Sequence, residues 1–464
     1  PLAEEYLAPR FPQFELVKIV TLATEISRAI ESVATNNGPS RSELEAIDVE
    51  DMDDGIHDFD VTTDYTEPMA QLIATIMADA VRTRTSDVHF KVEKETFYYA
   101  FRTDGDLGDK VEIPMKLKDR LDAFLLNLMK LPTEIRNTAP GISGRFTISY
   151  FHRPIDIRYE RHRTYRGYHV TMRLLDKSNI NVTLGKGTLA FDDETMFALN
   201  KVMKIPAGII VMSGPTGSGK STSLYTFLSE INTIDSRIIT VEDPVENKIE
   251  GVVQIAVKPE INLTFASALR SILRADPDIV MIGEMRDLET VEIAIRAALT
   301  GHLVFSTLHT NDAISGITRL VDMGVEPFLV AASVRAFLAQ RLVRRLCQKC
   351  KQPVNLSAIQ LRAAGFSAAR EDRTVYKAKP KGCDSCNHTG FYGRIAIYEV
   401  VVVSKAIEDL IVRRSAEATL KELAIREGFI PMRDYGFHKV LQGETTVEEV
   451  ISVTAIDMTL GEPD

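Results

Sequence analysis

The chain has 464 residues, of which 45% are apolar, and it carries a formal net charge of -10 at pH 7 with a pI near 5.6. This length predicts two or three domains and the apolar content excludes a disordered chain, while the acidic balance works against sequence-independent binding to nucleic acid. No apolar run approaches the roughly 20 residues that cross a bilayer and no export signal is visible, so we expect a cytoplasmic protein.

The N-terminal segment, residues 1–65, is predicted to contain one helix and a linker. Apolar side chains recur at helical spacing over residues 14–34, and such an amphipathic helix either docks on a partner or packs on its own domain. Residues 43–64 carry ten acidic side chains, with His57 as their only potential cation. Because like charges repel one another and resist packing, we expect a mobile linker there.

Two folded domains are expected after this segment. Residues 66–177 predict a small α+β domain with strands at 97–102 and 145–150, and residues 178–189 predict an interdomain linker. Residues 190–464 alternate apolar strands with helices, as a doubly wound parallel sheet does. The strands predicted in this larger α/β domain are 209–213, 238–241, 279–282 and 303–307.

The strongest motif is a glycine-rich loop that matches G-x-x-x-x-G-K-S/T and directly follows the strand at 209–213. Its glycines let backbone N–H groups converge on a phosphate, and the following helix adds the positive end of its dipole. We expect Lys220 to contact the β- and γ-phosphates of ATP and Ser221 to ligate Mg²⁺. The strand, loop and helix context argues against an accidental turn. The predicted nucleotide-binding residues are Gly214, Pro215, Thr216, Gly217, Ser218, Gly219, Lys220, Ser221 and Thr222.

Acidic residues follow two of the other buried strands. Glu284 comes after the strand at 279–282 and is the candidate that holds the water shell of the metal. Three acids follow the strand at 238–241, and of these we favour Glu242 as the group that orients or deprotonates the attacking water. The alternative for each carboxylate is an ordinary solvated strand end.

Two histidines, His302 and His309, frame the strand at 303–307. We expect them to contact the nucleotide, either by sensing the γ-phosphate or by linking it to a neighbouring subunit. A hydrogen-bonded structural role is the alternative for each.

The four cysteines form two Cys-x-x-Cys pairs that are separated by 32 residues. Such spacing predicts a tetrahedral Zn²⁺ site in a subdomain spanning 345–390, and it indicates a reducing compartment. Four thiolates fill the coordination shell, so the metal is expected to be structural. The alternative is four unmetallated thiols. The predicted ligands are Cys347, Cys350, Cys383 and Cys386.

These motifs together, in this order, resemble the secretion ATPase superfamily that powers type II secretion and type IV pilus assembly. Residues 242–246 resemble its aspartate box, 275–287 its Walker B segment and 302–309 its histidine box. The resemblance covers residues 70–458, and it implies a PAS-like second N-terminal domain followed by a RecA-like P-loop domain.

The resemblance also implies that arginines of the smaller domain reach the nucleotide phosphates. Arg145 and Arg158 match the positions of these arginine fingers, which stabilise charge on the transferring phosphoryl group when the domains close. The chain departs from the family pattern over residues 159–166, a basic and aromatic run. Arg161, Arg163 and Arg173 therefore remain as competitors for the same role.

By the same resemblance, the chain is expected to form a hexameric ATPase ring at the inner face of the cytoplasmic membrane. The ring would drive assembly, rather than retraction, of a type IV pilus or a type II secretion pseudopilus, because the metal subdomain is typical of the assembly branch. The implied partners are a membrane-embedded platform protein and a membrane-anchoring protein, with no nucleic acid. Two other functions stay open: a P-loop nucleic-acid translocase, and a scaffold that binds nucleotide without hydrolysing it.

Overall fold

The computed structural model describes residues 59–131, 141–175, 189, 191–366 and 369–454. These residues fall into two compact units that divide between Asp176 and Lys177. The helix predicted at 14–34 and most of the acidic linker lie outside the described residues. None of the helices in the described part of the chain has the length and apolarity needed to cross a membrane.

The described residues of the first unit form one eight-stranded sheet and two α-helices, which confirms the predicted α+β class. The sheet order is β1-β6-β7-β8-β2-β3-β4, and β5 also pairs with β3; only the β1–β6 pair is parallel. The strands are β1 (Phe59–Asp60), β2 (Thr85–Glu93), β3 (Thr96–Thr103), β4 (Asp106–Leu107), β5 (Val111–Ile113), β6 (Gly141–Tyr150), β7 (Arg153–Thr164) and β8 (Gly167–Leu175). The helices are α1 (Pro68–Arg82), α2 (Lys118–Leu128) and a short 3₁₀ turn, Met115–Leu117.

The prediction of a mobile linker over residues 43–64 is wrong at its C-terminal end, because Phe59 and Asp60 form strand β1. Phe59 pairs in register with Ile148 of β6 and is only 2% exposed. Its ring stacks on Tyr65 and meets the edge of Phe124. Burial of one aromatic ring in this core outweighs the tendency of the surrounding acidic residues to stay solvated.

The second unit is built on a seven-stranded sheet of order β11-β10-β12-β13-β9-β14-β17, in which only the β14–β17 pair is antiparallel. The four strands predicted from the sequence are all present, and their ends differ from the prediction by at most one residue. The strands of this sheet are β9 (Gly208–Ser213), β10 (Ile238–Glu242), β11 (Val253–Ala256), β12 (Ile279–Ile282), β13 (Leu303–Leu308), β14 (Val334–Leu346) and β17 (Phe391–Val402). A separate hairpin consists of β15 (Gln352–Leu356) and β16 (Arg373–Lys377).

Eleven α-helices are described in the second unit, with two short 3₁₀ turns at Pro259–Ile261 and Asp384–Cys386. The helices are α3 (Asp193–Met203), α4 (Lys220–Ile231), α5 (Phe265–Ile272), α6 (Leu288–Leu299), α7 (Ala313–Asp322), α8 (Pro327–Ser333), α9 (Ala358–Ala363), α10 (Lys405–Val412), α11 (Glu417–Arg426), α12 (Met432–Leu441) and α13 (Val447–Thr454). The alternation of strands and helices confirms the predicted doubly wound α/β class.

The parallel strands explain where a site must lie. Strands β9, β10, β12 and β13 are buried along their whole length, which is why their sequences read as continuous apolar runs. Parallel pairing brings the carboxyl ends of all these strands to the same edge of the sheet. In open α/β sheets ligands bind outside that edge.

A buried carboxylate ties strand β17 to two helices. Glu399 accepts hydrogen bonds from the backbone N–H groups of Ala313 and Met432, the first residues of α7 and α12. Helix N-termini favour a negative partner. Burial nevertheless raises the pKa of Glu399 from 4.5 to about 7.

This shift predicts a pH dependence of stability. Because the pKa of Glu399 is higher in the folded protein, its contribution to the free energy of unfolding is lost as pH rises from about 4.5 towards 7. Between about pH 5.5 and 8 the loss should be about 2 kcal/mol, which corresponds to roughly 4–8 °C in Tm for a domain of this size. Thermal unfolding of wild type and Glu399→Gln at both pH values measures it. The variant should lack this component, and an equal pH dependence in the two proteins would contradict the assignment.

Candidate nucleotide site and metal centre

The phosphate loop lies at the carboxyl edge of the large sheet, between β9 and α4. Gly214, Gly217 and Gly219 adopt φ angles of 145°, 80° and 87°, a region that favours glycine. A Cβ atom at Gly214 would lie 2.6 Å from the backbone oxygen of Gln340 and 2.7 Å from Ser218 Oγ. A side chain at Gly214 would therefore clash with its neighbours, while at Gly217, where the space is open, the backbone angle alone favours glycine.

The groups of the loop fit an anionic ligand. Lys220 Nζ donates hydrogen bonds to the carbonyl oxygens of Gly214, at 2.6 Å, and Pro215, at 3.0 Å. Burial lowers the pKa of this ammonium group, while the nearby carboxylates of Glu284 and Glu246 oppose that shift. Ser218 Oγ is buried and has no hydrogen-bond partner among the described residues. A cation, an unsatisfied hydroxyl and a helix N-terminus thus converge at one point, as phosphate binding requires.

Glu284 and His309 are brought together at the same edge. Glu284 follows β12, and one of its carboxylate oxygens lies 3.0 Å from His309 Nε2. The other accepts a 2.7 Å hydrogen bond from Arg286 Nε. The turn that presents Glu284 is fixed to both neighbouring strands, because Gly283 N–H donates to Val241 O and Thr307 Oγ1 donates to Gly283 O. Two residues that were predicted for the site, Glu284 and His309, are thus in direct contact.

Glu242 is held in a network of neutral donors. One of its oxygens accepts hydrogen bonds from Thr240 Oγ1, at 2.6 Å, and Gln254 Nε2, at 2.9 Å, and the other accepts from the hydroxyl of Tyr225. The residue is 4% exposed. The same Tyr225 hydroxyl accepts the backbone N–H of Glu246 at 3.2 Å. Glu246 is exposed, and its carboxylate opposes the lowering of the pKa of Lys220.

His302 is not brought together with the phosphate loop, because it lies at the opposite end of the parallel strands. Its backbone oxygen accepts from Gly208 N–H at the start of β9, which is the edge of the sheet opposite the phosphate loop. Its Nδ1 lies 2.9 Å from Ala297 O and 3.3 Å from Thr300 Oγ1. The six residues of β13 separate it from His309 by about 20 Å. The side chain of His302 instead forms hydrogen bonds with groups at the C-terminal end of α6.

The candidate arginine fingers belong to the first unit, where they form a row across three strands. Arg145 of β6 pairs in register with Arg158 of β7, which pairs in turn with Arg173 of β8. Arg158 Nε is buried without a hydrogen-bond partner among the described residues. Arg173 Nε instead donates to Asp87 at 2.8 Å.

The basic run at 159–166 has a structural explanation. It forms the end of β7 and the turn into β8, with Tyr159 buried. Arg161 is 8% exposed, and its guanidinium lies 2.8 Å from the carboxylate of Asp122 in α2. It also lies over the ring of Tyr168. Arg161 is thus committed to the core of its own unit and is a poor candidate for a finger.

The four cysteines form a compact cluster. Their sulfur atoms all lie within 4.8 Å of one another. The Cys347–Cys383, Cys350–Cys386 and Cys383–Cys386 sulfur pairs are separated by 3.8, 3.9 and 3.8 Å. Four thiolates about 2.3 Å from a tetrahedral Zn²⁺ would be about 3.8 Å apart, so the donor set and its spacing fit this ion.

Backbone groups around the cluster favour thiolates. The N–H groups of Cys383 and Gly390 each lie 3.2 Å from Cys386 Sγ. Burial alone would raise the pKa of this thiol, but these hydrogen bonds lower it. Gly382 allows the chain to close, because a Cβ atom there would lie 2.7 Å from the same sulfur.

The predicted subdomain at 345–390, which carries the cysteines, does not form its own core. Leu361, Phe366 and Val375 pack with side chains of α12 and α13, beyond the predicted limit at residue 390. Leu346 N–H donates to Glu444 O, and the side chains of Arg344 and Glu449 form an ion pair. Strand β14 thus leads from the interior of the large sheet directly into the first cysteine pair.

Comparison with known proteins agrees with this architecture. The model of a protein family described as type II/IV secretion system protein matches residues 62–452, which is most of the chain. The chain belongs to this family. The predicted enzyme class, an ATP hydrolase of the pilus-assembly and type II secretion ATPases, is thereby confirmed.

Individual relatives are similar over most of their length. The type IV pilus assembly ATPase PilB of Myxococcus xanthus is 40% identical over 459 residues, which cover 96% of this chain and 79% of the relative. The type II secretion system ATPase E of Vibrio cholerae is 42% identical over 387 residues, covering 83% and 75%. A crystal structure of the pilus retraction motor PilT with bound ADP is similar with a TM-score of 0.56 and 26% identity, covering 84% and 96%.

The cysteine geometry predicts a structural metal in this secretion ATPase. Purified wild type should contain one Zn²⁺ per chain, measured by elemental analysis, and Cys383→Ser should contain none. Because the cluster joins β14 to the C-terminal helices, the variant should lose about 3 kcal/mol of stability, or roughly 6–12 °C in Tm. The exposed neighbour Ser385→Ala is the matched control and should keep both the metal and the Tm. Wild type free of metal, with an unchanged Tm after chelation, would contradict the prediction.

Proposed function

We propose that this secretion ATPase is the motor for assembly of a type IV pilus or a type II secretion pseudopilus. The observation that carries the proposal is the meeting of Lys220, Glu284, His309 and Glu246 at the carboxyl edge of the parallel sheet. This set contains the groups that phosphoryl transfer requires. The 40% identity to a pilus assembly ATPase and the tetracysteine centre support the assembly direction.

Residues 214–222 hold the phosphates of ATP. On binding, Lys220 exchanges the carbonyl oxygens of Gly214 and Pro215 for phosphate oxygens, which compensates the charge of the ligand in a partly buried site. Ser218 Oγ gains the hydrogen-bond partner that it lacks. Ser221 and Glu284 hold Mg²⁺, which would neutralise charge on the transferring phosphoryl group.

The residue that orients or deprotonates the attacking water is assigned as Glu246 in place of Glu242. A general base must be within reach of the water, and Glu242 is 4% exposed and already accepts three hydrogen bonds from protein groups, whereas Glu246 is exposed. The carboxylate of Glu246 opposes the lowering of the pKa of Lys220. The backbone N–H of Glu246 donates a hydrogen bond to the Tyr225 hydroxyl, which holds the residue in place. Glu242 then has a positioning role, because it orients the tyrosine that holds Glu246. His309 orients Glu284.

Arg145 and Arg158 act as arginine fingers on the nucleotide. Their side chains share one face of the sheet in the first unit, because the two residues are directly paired in neighbouring antiparallel strands, and a planar guanidinium suits a phosphate. Arg161 and Arg173 are disfavoured because their carboxylate partners are structural. Closure of the first unit on the nucleotide couples hydrolysis to movement.

The motor works as a homohexameric ring at the inner face of the cytoplasmic membrane. It acts on a membrane-embedded platform protein and is held in place by an anchoring protein. Relatives named for pilus assembly and type II secretion support this setting. A nucleic-acid translocase is disfavoured by the net charge of -10.

Steady-state hydrolysis of Mg-ATP tests the proposed site. Glu284→Gln and Glu246→Gln should each lower kcat by at least about 100-fold, since they remove the metal ligand and the base, while nucleotide affinity changes little. Glu242→Gln should mainly lower Tm, because an amide cannot accept all three hydrogen bonds. Light scattering of the same samples reports ring formation.

The arginines provide a matched comparison in this assay. Arg158→Ala should lower kcat at an unchanged Tm, whereas Arg161→Ala should lower Tm, because it leaves Asp122 buried and unpaired. Turnover that is equally low in wild type and all variants would identify a nucleotide-binding scaffold instead. Strong stimulation by DNA would identify a translocase.

A further inference from the structure

A buried glutamine links the phosphate loop to the helix that follows it. Gln340 lies in β14, beside β9, and is 1% exposed. Its side-chain Nε2 donates to the backbone oxygen of Ser218 at 2.8 Å, and its Oε1 accepts from Ser223 Oγ at 2.7 Å. Ser218 is in the loop and Ser223 in the first turn of α4. The site motifs do not include Gln340, which is 120 residues from Lys220 in the sequence.

The chemistry fixes the orientation of this amide. A backbone oxygen can only accept a hydrogen bond, so the NH₂ group must face Ser218, and the remaining oxygen then accepts the hydroxyl of Ser223. Both bonds are buried, so loss of either one leaves an unsatisfied polar group. The terminal amide of glutamine provides this donor and this acceptor in neutral form, and asparagine, which has the same amide, is shorter by one methylene.

The same residue accounts for two glycines of the motif. A Cβ atom at Gly219 would lie 2.8 Å from Gln340 Nε2, and one at Gly214 would lie 2.6 Å from Gln340 O. Strand β14 therefore packs against the outside of the loop at both of its ends. The loop is shaped by this contact as well as by its own sequence.

Peptide geometry connects this contact to the ligand. In a planar trans peptide the C=O and the following N–H point in opposite directions. Because Gln340 holds the Ser218 oxygen, the Gly219 N–H is directed away from β14 and into the loop. We propose that Gln340 is a positioning residue that aims the Gly219 N–H at the β-phosphate of a bound nucleotide. This inference rests on the proposed phosphate-binding role of residues 214–222.

The role makes a specific kinetic prediction. Both ADP and ATP have a β-phosphate, so a misdirected N–H should weaken the binding of both nucleotides. Chemistry at the γ-phosphate depends on Glu246 and Glu284 instead. Loss of Gln340 should therefore raise the Kd of ADP and the KM of ATP together, while kcat at saturating ATP changes little.

Gln340→Glu is the most informative variant. It keeps the size of the side chain and the acceptor for Ser223, but a carboxylate cannot donate to Ser218 and repels the phosphate. At about pH 8 the Kd of fluorescent ADP should rise about 10- to 100-fold. At about pH 6 part of this loss should be recovered, because burial raises the pKa of a carboxyl group and the protonated acid can donate again. A fold weakened by the buried charge would recover as well, so Tm is measured at both pH values, and a recovery of binding without a change in Tm assigns the effect to the phosphate loop.

Three further variants complete the experiment. Ser223→Ala removes only the hydroxyl partner and should raise the ADP Kd by roughly 3- to 10-fold, which also tests the proposal if Gln340→Glu does not fold. Gln442→Glu makes the same chemical change at an exposed helix end and should bind like wild type. Lys220→Ala tests the phosphate site itself.

The outcomes separate the two claims. An ADP Kd within twofold of wild type in folded Gln340→Glu, with binding lost in Lys220→Ala, overturns the role of Gln340 alone. Wild-type binding by Lys220→Ala overturns the phosphate assignment and this inference with it. Weaker binding by Gln340→Glu that is the same at both pH values assigns Gln340 to folding instead of positioning.

Discussion

The site of this protein depends on parallel strand pairing in one fully buried sheet. Strands β9, β10, β12 and β13 run in the same direction, so the groups that follow them meet at one edge although they are far apart in the sequence. The phosphate loop, the acids and His309 each come from a different crossover. A strand that paired one residue out of register would displace its whole contribution. Burial of both faces, which specifies the register, thus also specifies the chemistry.

Buried polar contacts then fix the side chains within this frame. Tyr225 joins Glu242 to Glu246, and Gln340 joins the phosphate loop to helix α4. Glu399 joins the first residues of α7 and α12. Each of these buried polar side chains has hydrogen-bond partners in a region of low dielectric, where a polar group without a partner destabilises the fold. The tetracysteine centre continues the same arrangement, because it secures the far end of the strand that carries Gln340.

The sequence predicted the parts of this arrangement that follow from local pattern. The four central strands, the glycine-rich loop and the cysteine pairs have strong local patterns, and the structure has the strands and the cysteine cluster where they were expected. The position of His302 was not predicted, because proximity to a strand does not say which end of the sheet a residue occupies. Gln340 and the partners of Glu242 were missed because their contacts join distant segments, and a single glutamine or tyrosine in an apolar run carries no local sign of them.

The most direct measurement is a crystal structure of the full chain with Mg-ADP. The β-phosphate is expected within hydrogen-bond distance of Lys220 Nζ and the Gly219 N–H, with Gln340 still bonded to Ser218 and with Lys220 no longer bonded to the carbonyls of Gly214 and Pro215. A nucleotide bound elsewhere, or one that leaves Lys220 on these carbonyls, would contradict the account.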